Sequence, residues 1–194
     1  EAADTSTEYS KYPLAEKVHD LNAPENRGTD LVSSARRIKA FGTFLDDNVD
    51  SVQAGEIDIQ HPLSVMSRAW REVVEAARHY NDPGRFTTLV GYEYTAMAPD
   101  AGNLHRNVLF RDAENLPAQP FSTMHSENPE DLWDWMDAMR AKGVESLAIP
   151  HNSNGSNGHM FEMTKTDGSP IDAAYVEQRL RNEPIVEITQ IKGT

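Results

Sequence analysis

Two stretches in the first half of the chain carry apolar residues at the three- and four-residue intervals of a helix. In residues 29–44 these are Leu31, Val32, Ala35, Ile38 and Phe41, with Thr29 placed to cap the helix. In residues 63–80 they are Val65, Met66, Ala69, Trp70, Val73, Val74 and Ala77. That second stripe opens at His61-Pro62 and closes on the turn sequence Asn81-Asp82-Pro83-Gly84. Residues 1–26 are polar and interrupted by proline, which predicts a surface segment with at most a short helix near residues 14–21. Residues 42–59 are acidic and broken by glycine.

The pattern changes at Phe86. Residues 86–94 combine Leu89 and Val90 with residues that favour extended backbone (Phe86, Thr87, Thr88, Tyr92, Tyr94) and predict a buried strand. Short strands follow over residues 108–111, 146–150 and 185–191. Between them, Asn128-Pro129-Glu130-Asp131 starts a helix over residues 132–142, with proline in the first turn and acids complementing the dipole, and Gly143 ends it. A further helix covers residues 171–182. Helices alternating with strands predict parallel pairing and an α/β layer fold or barrel. The length fits one domain, or a large piece of one, over residues 1–194. Residues 1–70 form its polar and helical lead-in, and residues 71–194 its βα segment.

Composition narrows the function more than the fold. Acidic side chains outnumber basic ones 31 to 18, for a net charge of −13. Nucleic acid and anionic membrane surfaces are therefore poor partners, since both call for a basic surface. A small anionic substrate stays compatible, because bound cations invert the local field. The absence of cysteine removes disulfides, zinc–thiolate sites and thiol nucleophiles. No apolar run approaches the ~20 residues of a membrane span, and the first residues lack the pattern of a signal peptide. The first residue is not Met and the last predicted strand stops short of its loop, so the chain is expected to be a fragment. Compartment and oligomeric state are left open.

Candidate chemistry gathers where the predicted strands end. Glu93 closes the central strand, His105 lies in the loop after it, and His151 follows the run Ser146-Leu147-Ala148-Ile149-Pro150. One carboxylate and two imidazoles suit a hard-to-borderline divalent metal such as Mn, Fe or Zn. Arg106 would bind a phosphate or sulfate oxygen, or pair with one of the many acids. The loop from His151 to His159 is dense in Asn, Ser and Gly; it reads either as a flexible turn or as a rim around an anion, with Asn152 or Asn154 donating hydrogen bonds. His159, farther along that loop, is the weaker ligand candidate. Glu187 is assigned to orient a metal-bound histidine, or else to an interior salt bridge. His19, His61, His79 and His125 read as structural. No Ser-His-Asp elbow, phosphate-binding glycine loop or dinucleotide fingerprint is present.

The strings GYEYT, NLHRNVLFRD, PEDLWDW, LAIPHNSNGSNGHMF and EPIVEITQIKG occur in this order. Together they resemble a bacterial domain-of-unknown-function family, family 3604, from about residue 71 to the end. That family is in turn similar to the polymerase-and-histidinol-phosphatase (PHP) superfamily of metal-dependent phosphoesterases. The resemblance implies a distorted (β/α)7 barrel with two or three divalent metals at the strand C-termini. It implies Glu93 as the carboxylate shared between metals, His105 and His151 as ligands of one of them, and ester hydrolysis by a metal-bound hydroxide. The family pattern also includes a His-x-His and a Thr-Asp-His before this region and an Asp-x-His after it, and this chain contains none of the three. On that reading it is the middle of a barrel and is expected to be inactive by itself. The substrate class is a small phosphate-type ester, and a sulfate ester fits the same chemistry. A non-catalytic metal- or ligand-binding barrel and a plain structural α/β domain are the competing readings.

Overall fold

The structure is a computed structural model that describes residues 28–36, 39, 55, 60–188 and 190. The chain divides into two compact units, Glu1–Arg68 and Ala69–Thr194. In the first, a helical segment covers residues 31–36. Its cap is Asp30 rather than Thr29: one Asp30 oxygen accepts from the Val32 and Ser33 backbone N–H groups at 2.9 and 3.0 Å. The predicted continuation to residue 44, and the short helix near residues 14–21, lie outside the described residues.

Helix α1 (Gln60–Tyr80) realises the second apolar stripe. Its buried residues Trp70 and Val74 pack with Val90, Tyr94, Val108, Phe110, Leu132, Trp133, Met136 and Ala148 in one core. The Trp70 indole N–H donates to the Pro117 carbonyl at 2.8 Å, so the ring is buried without stranding its donor. After α1 the chain turns tightly: Asp82 and Phe86 exchange two backbone hydrogen bonds of 2.8 Å. Phe86 and Leu89 are consequently exposed, and strand β1 is shorter than predicted, Val90–Tyr94.

Strands β2 (Arg106–Phe110) and β3 (Ser146–Pro150) complete a three-stranded sheet in the order β1-β2-β3. Both pairings are antiparallel, which overturns the parallel arrangement expected from alternating helices and strands. The reason lies in the segment between β2 and helix α2 (Pro129–Arg140). That segment runs back along the sheet before the helix begins: the Tyr94 hydroxyl donates to the Ser126 carbonyl at 2.8 Å, which places the start of α2 near the far end of β1. Helix α2 then returns, and the Arg111 N–H meets the Glu145 carbonyl at 3.0 Å. Strand β3 therefore starts beside the end of β2, and the crossover a parallel pair needs is undone. The described elements are mixed helices and an antiparallel sheet, an α/β arrangement in the general sense; a barrel is not among them.

The predicted start of α2 holds: Asn128 caps it, its side chain accepting from Glu130 N–H, and proline occupies the first turn. Gly143 takes φ 85° just past the end, a left-handed position that glycine fills without strain. Helix α3 (Ala173–Asn182) is capped by Asp172. The predicted last strand is absent among the described residues: 185–188 and 190 are not in a strand, and Glu187 N–H makes one bond of 2.9 Å to the Pro150 carbonyl. Among the described residues, no helix is long and apolar enough to cross a membrane.

Helices α2 and α3 are joined through Asp137. Its carboxylate accepts from Arg140 at 2.7 Å, from Arg181 at 2.6 and 3.0 Å, and from Asn182 at 3.1 Å. The Arg181 hydrogen bonds lead in holding the Asp137 carboxyl down at about 2, below its ordinary 3.8. A lowered carboxyl pKa contributes stability that is complete above the unfolded value and is lost as pH falls through the folded one. Asp137→Asn should therefore cost about 1 kcal/mol at pH 7, because the partly solvated ion pair is screened. In urea unfolding series, that difference should shrink from about pH 4 towards pH 2; a difference independent of pH would count against the assignment.

Candidate metal centre

Strand register brings three side chains together. Glu93 pairs with Asn107, and Asn107 with Ile149. Side chains alternate between sheet faces, so Glu93, Asn107 and Ile149 share one face, and Tyr94, Arg106 and Pro150 the other. The second face is buried against the core. Continuing the register one residue beyond the paired segments sets His105 opposite His151 on the same face as Glu93. Strands β1 and β3 point the same way, so Glu93 and His151 come from their C-terminal ends, whereas His105 comes just before the start of β2.

The Glu93 Oε1 atom lies 3.2 Å from His105 Nδ1 and 3.0 Å from His151 Nε2. The two rings are 6.1 Å apart between centroids and inclined at 67°. One ligand atom from each of the three residues falls within 4.8 Å of the others. Donors bound at about 2.0–2.2 Å to a common ion sit roughly 3 to 3.5 Å apart, so the two short separations match such an ion. His151 is almost fully covered, with 7% of its side chain exposed; Glu93 has 45% exposed and opens the group to solvent.

The hydrogen bonding around His151 also fits a cation. Its Nδ1 lies 3.3 Å from the Ile149 carbonyl. A neutral imidazole carries one N–H. With that proton on Nδ1, donating to Ile149, the Nε2 lone pair faces Glu93 Oε1 directly. A cation between them turns that opposition into coordination, and the Ile149 carbonyl then fixes the ring's tautomer and orientation.

The other predicted site residues are placed differently. Arg106 is buried on the core face, where its Nε donates to Glu183 Oε1 at 2.6 Å and its Nη1 to the Leu104 carbonyl. Pairing with an acid, the second of its two sequence readings, is what the structure shows, and Arg106 lies on the sheet face opposite Glu93, His105 and His151. Asn152 is 1% exposed and directly follows His151; among the described residues, both of its amide atoms are buried without a hydrogen-bond partner. Asn154 is exposed, on the short 3-10 turn Ser153–Gly155. The Glu187 carboxylate accepts from Gln190 at 3.0 Å and, among the described residues, makes no hydrogen bond or ion pair with the three ligand candidates; the group within reach of the His151 Nδ1 is the Ile149 carbonyl. His159 stands apart from the cluster, between Asp100 and Glu162. His125 stacks on Phe121 at 5.2 Å and His79 meets the edge of Tyr80 at 4.7 Å, as expected of structural residues. His19 and the His61 side chain lie outside the described residues.

Sequence reasoning passed over Asp100, Glu162 and Glu183. Asp100 is part of a Pro-Asp-Ala-Gly turn and reads there as a turn former. Glu183 follows a polar helix and carries no sequence signal of burial, yet its side chain is 2% exposed. No curated protein and no solved structure shows a significant match to the chain. Over residues 1–194 it matches the family described as "Protein of unknown function (DUF3604)", and the chain belongs to that family.

Proposed function

We propose that the protein is a metal-dependent hydrolase of small phosphate-type esters, with Glu93, His105 and His151 holding a divalent ion. The observation that carries this reading is the single carboxylate oxygen within 3.2 Å of two imidazole nitrogens from separate chain segments. Mn, Fe and Zn all suit this donor set. Such an ion, when bound, supplies Lewis acidity and makes a coordinated water a stronger acid.

The chain's own residues set what surrounds it. Burial of His151 and the Ile149 carbonyl hold one donor rigidly. Glu93, half exposed, leaves a solvent-facing side from which an ester can approach. Asn152, the residue after His151 in the chain, carries a buried amide with no hydrogen-bond partner among the described residues. A buried amide without partners costs roughly 1–3 kcal/mol per group, and an ester oxygen or an ordered water relieves it. The resemblance to the PHP superfamily goes with a distorted barrel in which β1 and β3 would contribute their C-terminal ends and β2 would lie antiparallel between them, with two or three metals in the whole protein and Glu93 shared between them. Arg106 has no part in the proposed chemistry.

The test is turnover of a panel of phosphomonoesters, phosphodiesters and aryl sulfates by the intact protein, before and after chelator treatment. Hydrolysis that chelation abolishes and Mn2+, Fe2+ or Zn2+ restores is the expected result. Metal binding without turnover of any ester would favour the non-catalytic binding domain instead.

A further inference from the structure

The two loops that deliver the histidines are laced to each other. Residues 95–105 lead from β1 to His105, and residues 151–162 lead away from His151. The Asn103 N–H donates to the Gly155 carbonyl at 2.9 Å. Gly102 approaches so closely that a Cβ there would meet the Ser156 carbonyl oxygen at 2.5 Å, which explains a residue without a side chain at that point. Asp100 gathers the remaining contacts: its Oδ1 accepts from Gly102 N–H at 3.2 Å, and its Oδ2 accepts from Asn157 Nδ2 at 3.2 Å and lies 3.1 Å from His159 Nε2. The other ring nitrogen of His159 meets Glu162.

From this arrangement we propose that His159, as an imidazolium, is a positioning residue that latches the loop before His105 to the loop after His151 and so sets the approach of two of the ligands. The inference rests on the metal-site reading, and its own geometry does not depend on it. A neutral imidazole has one N–H and satisfies only one carboxylate; the cation donates to both Glu162 and Asp100. Only the charged form therefore joins the loops while keeping its local partner. The charges around the ring act in the same direction. The hydrogen bond that the ring donates to Glu162, followed by the one it donates to Asp100, raises the His159 pKa above its ordinary 6.5, and accepting from His159 lowers that of Asp100. Glu127 and Glu130, at the start of α2, border the same cavity as His159 and Glu162. Among the described residues, Arg179 of α3 and Arg106 of β2 are the cations bordering that cavity; the Arg179 guanidinium lies over the Phe161 ring at 4.8 Å and donates to the Met160 carbonyl, and Arg106 is paired with Glu183. Below the folded pKa of His159 both carboxylates are therefore held, and as pH rises through it one of the two bonds is lost and the latch loosens.

Two measurements on the intact protein test this. In the metal-free protein, NMR titration should give His159 a midpoint above its ordinary value, and the Asn103 and Asn157 amide signals should follow the same midpoint; Asp100→Asn should lower that midpoint. For the ion, Zn2+ titration should show His159→Gln binding about 10-fold more weakly than the parent below the midpoint, the scale seen for groups that orient ligands. Above the midpoint the two proteins should bind alike. Loop signals that ignore the His159 titration, or a variant that binds Zn2+ as tightly as the parent below the midpoint, would overturn the proposal. Absence of Zn2+ binding in both proteins would overturn the metal-site reading, while the NMR titration would still decide whether the latch exists.

Discussion

Glu93→Gln is expected to weaken binding of Zn2+ or Mn2+ by at least about 100-fold, since loss of a mere outer partner already costs 10–100-fold. The substitution keeps the size of the side chain and removes the one charged donor of the group. It should leave the fold intact, because Glu93 is 45% exposed and lies on the face opposite the core. Ester turnover should fall with metal content. Metal analysis and circular dichroism on the same sample separate the two effects: full secondary structure with lost metal is the prediction. Unchanged metal content would remove Glu93 from the site.

Glu183→Ala should have the largest effect on stability. The Glu183 carboxylate is buried and accepts from Arg106 Nε at 2.6 Å, the Trp133 indole N–H at 2.9 Å and Arg179 Nε at 3.2 Å. It ties the end of α3 to β2 and α2 from inside. Removing one partner of a buried ion pair leaves the other charge without compensation and costs about 3–5 kcal/mol. A domain's whole stability is about 5–15 kcal/mol, so the variant should be near unfolding at 37 °C. Arg106→Met in the same chain should recover part of the loss, because the stranded charge goes with it. Urea unfolding of the single and double variants measures both; a single-variant loss under about 1 kcal/mol would show that the network is not a structural tie.

Sequence periodicity located elements that present some of their apolar residues to the core: in α1 these are Trp70, Val74 and Ala77, whereas Ala69 and Val73 are exposed. The stripe from Val65 to Ala77 became α1, and Ser146–Pro150 is a strand with the bounds the run itself marks. Strand direction was not legible, because the segment between Phe110 and Asn128 has no period and its path along the sheet is fixed by single contacts such as Tyr94 to Ser126. For the same reason Phe86 and Leu89, apolar and next to a true strand, were assigned to it although a two-bond turn holds them outside. The candidate ligands were legible as a group because strand ends and the loops after them gather at one edge of a sheet; that they share one face depends on the register. Arg106 was read as an anion binder because it is next to His105 in the chain; being one residue on, it points to the opposite face and into the core.

The burial of Glu183 and the position of Asp100 between loops depend on contacts across the fold, and nothing local marks them. His159 was separated from the ligands by its distance along the loop, and the structure adds what it touches instead.

Calorimetric titration of the metal-free intact protein with Zn2+, repeated on Glu93→Gln, His105→Ala and His151→Ala, bears most directly on the metal centre. The predicted result is at least one equivalent of ion bound, with each substitution weakening the same binding event. No binding, or binding that all three substitutions leave unchanged, would contradict the assignment and return the two histidines to a structural role.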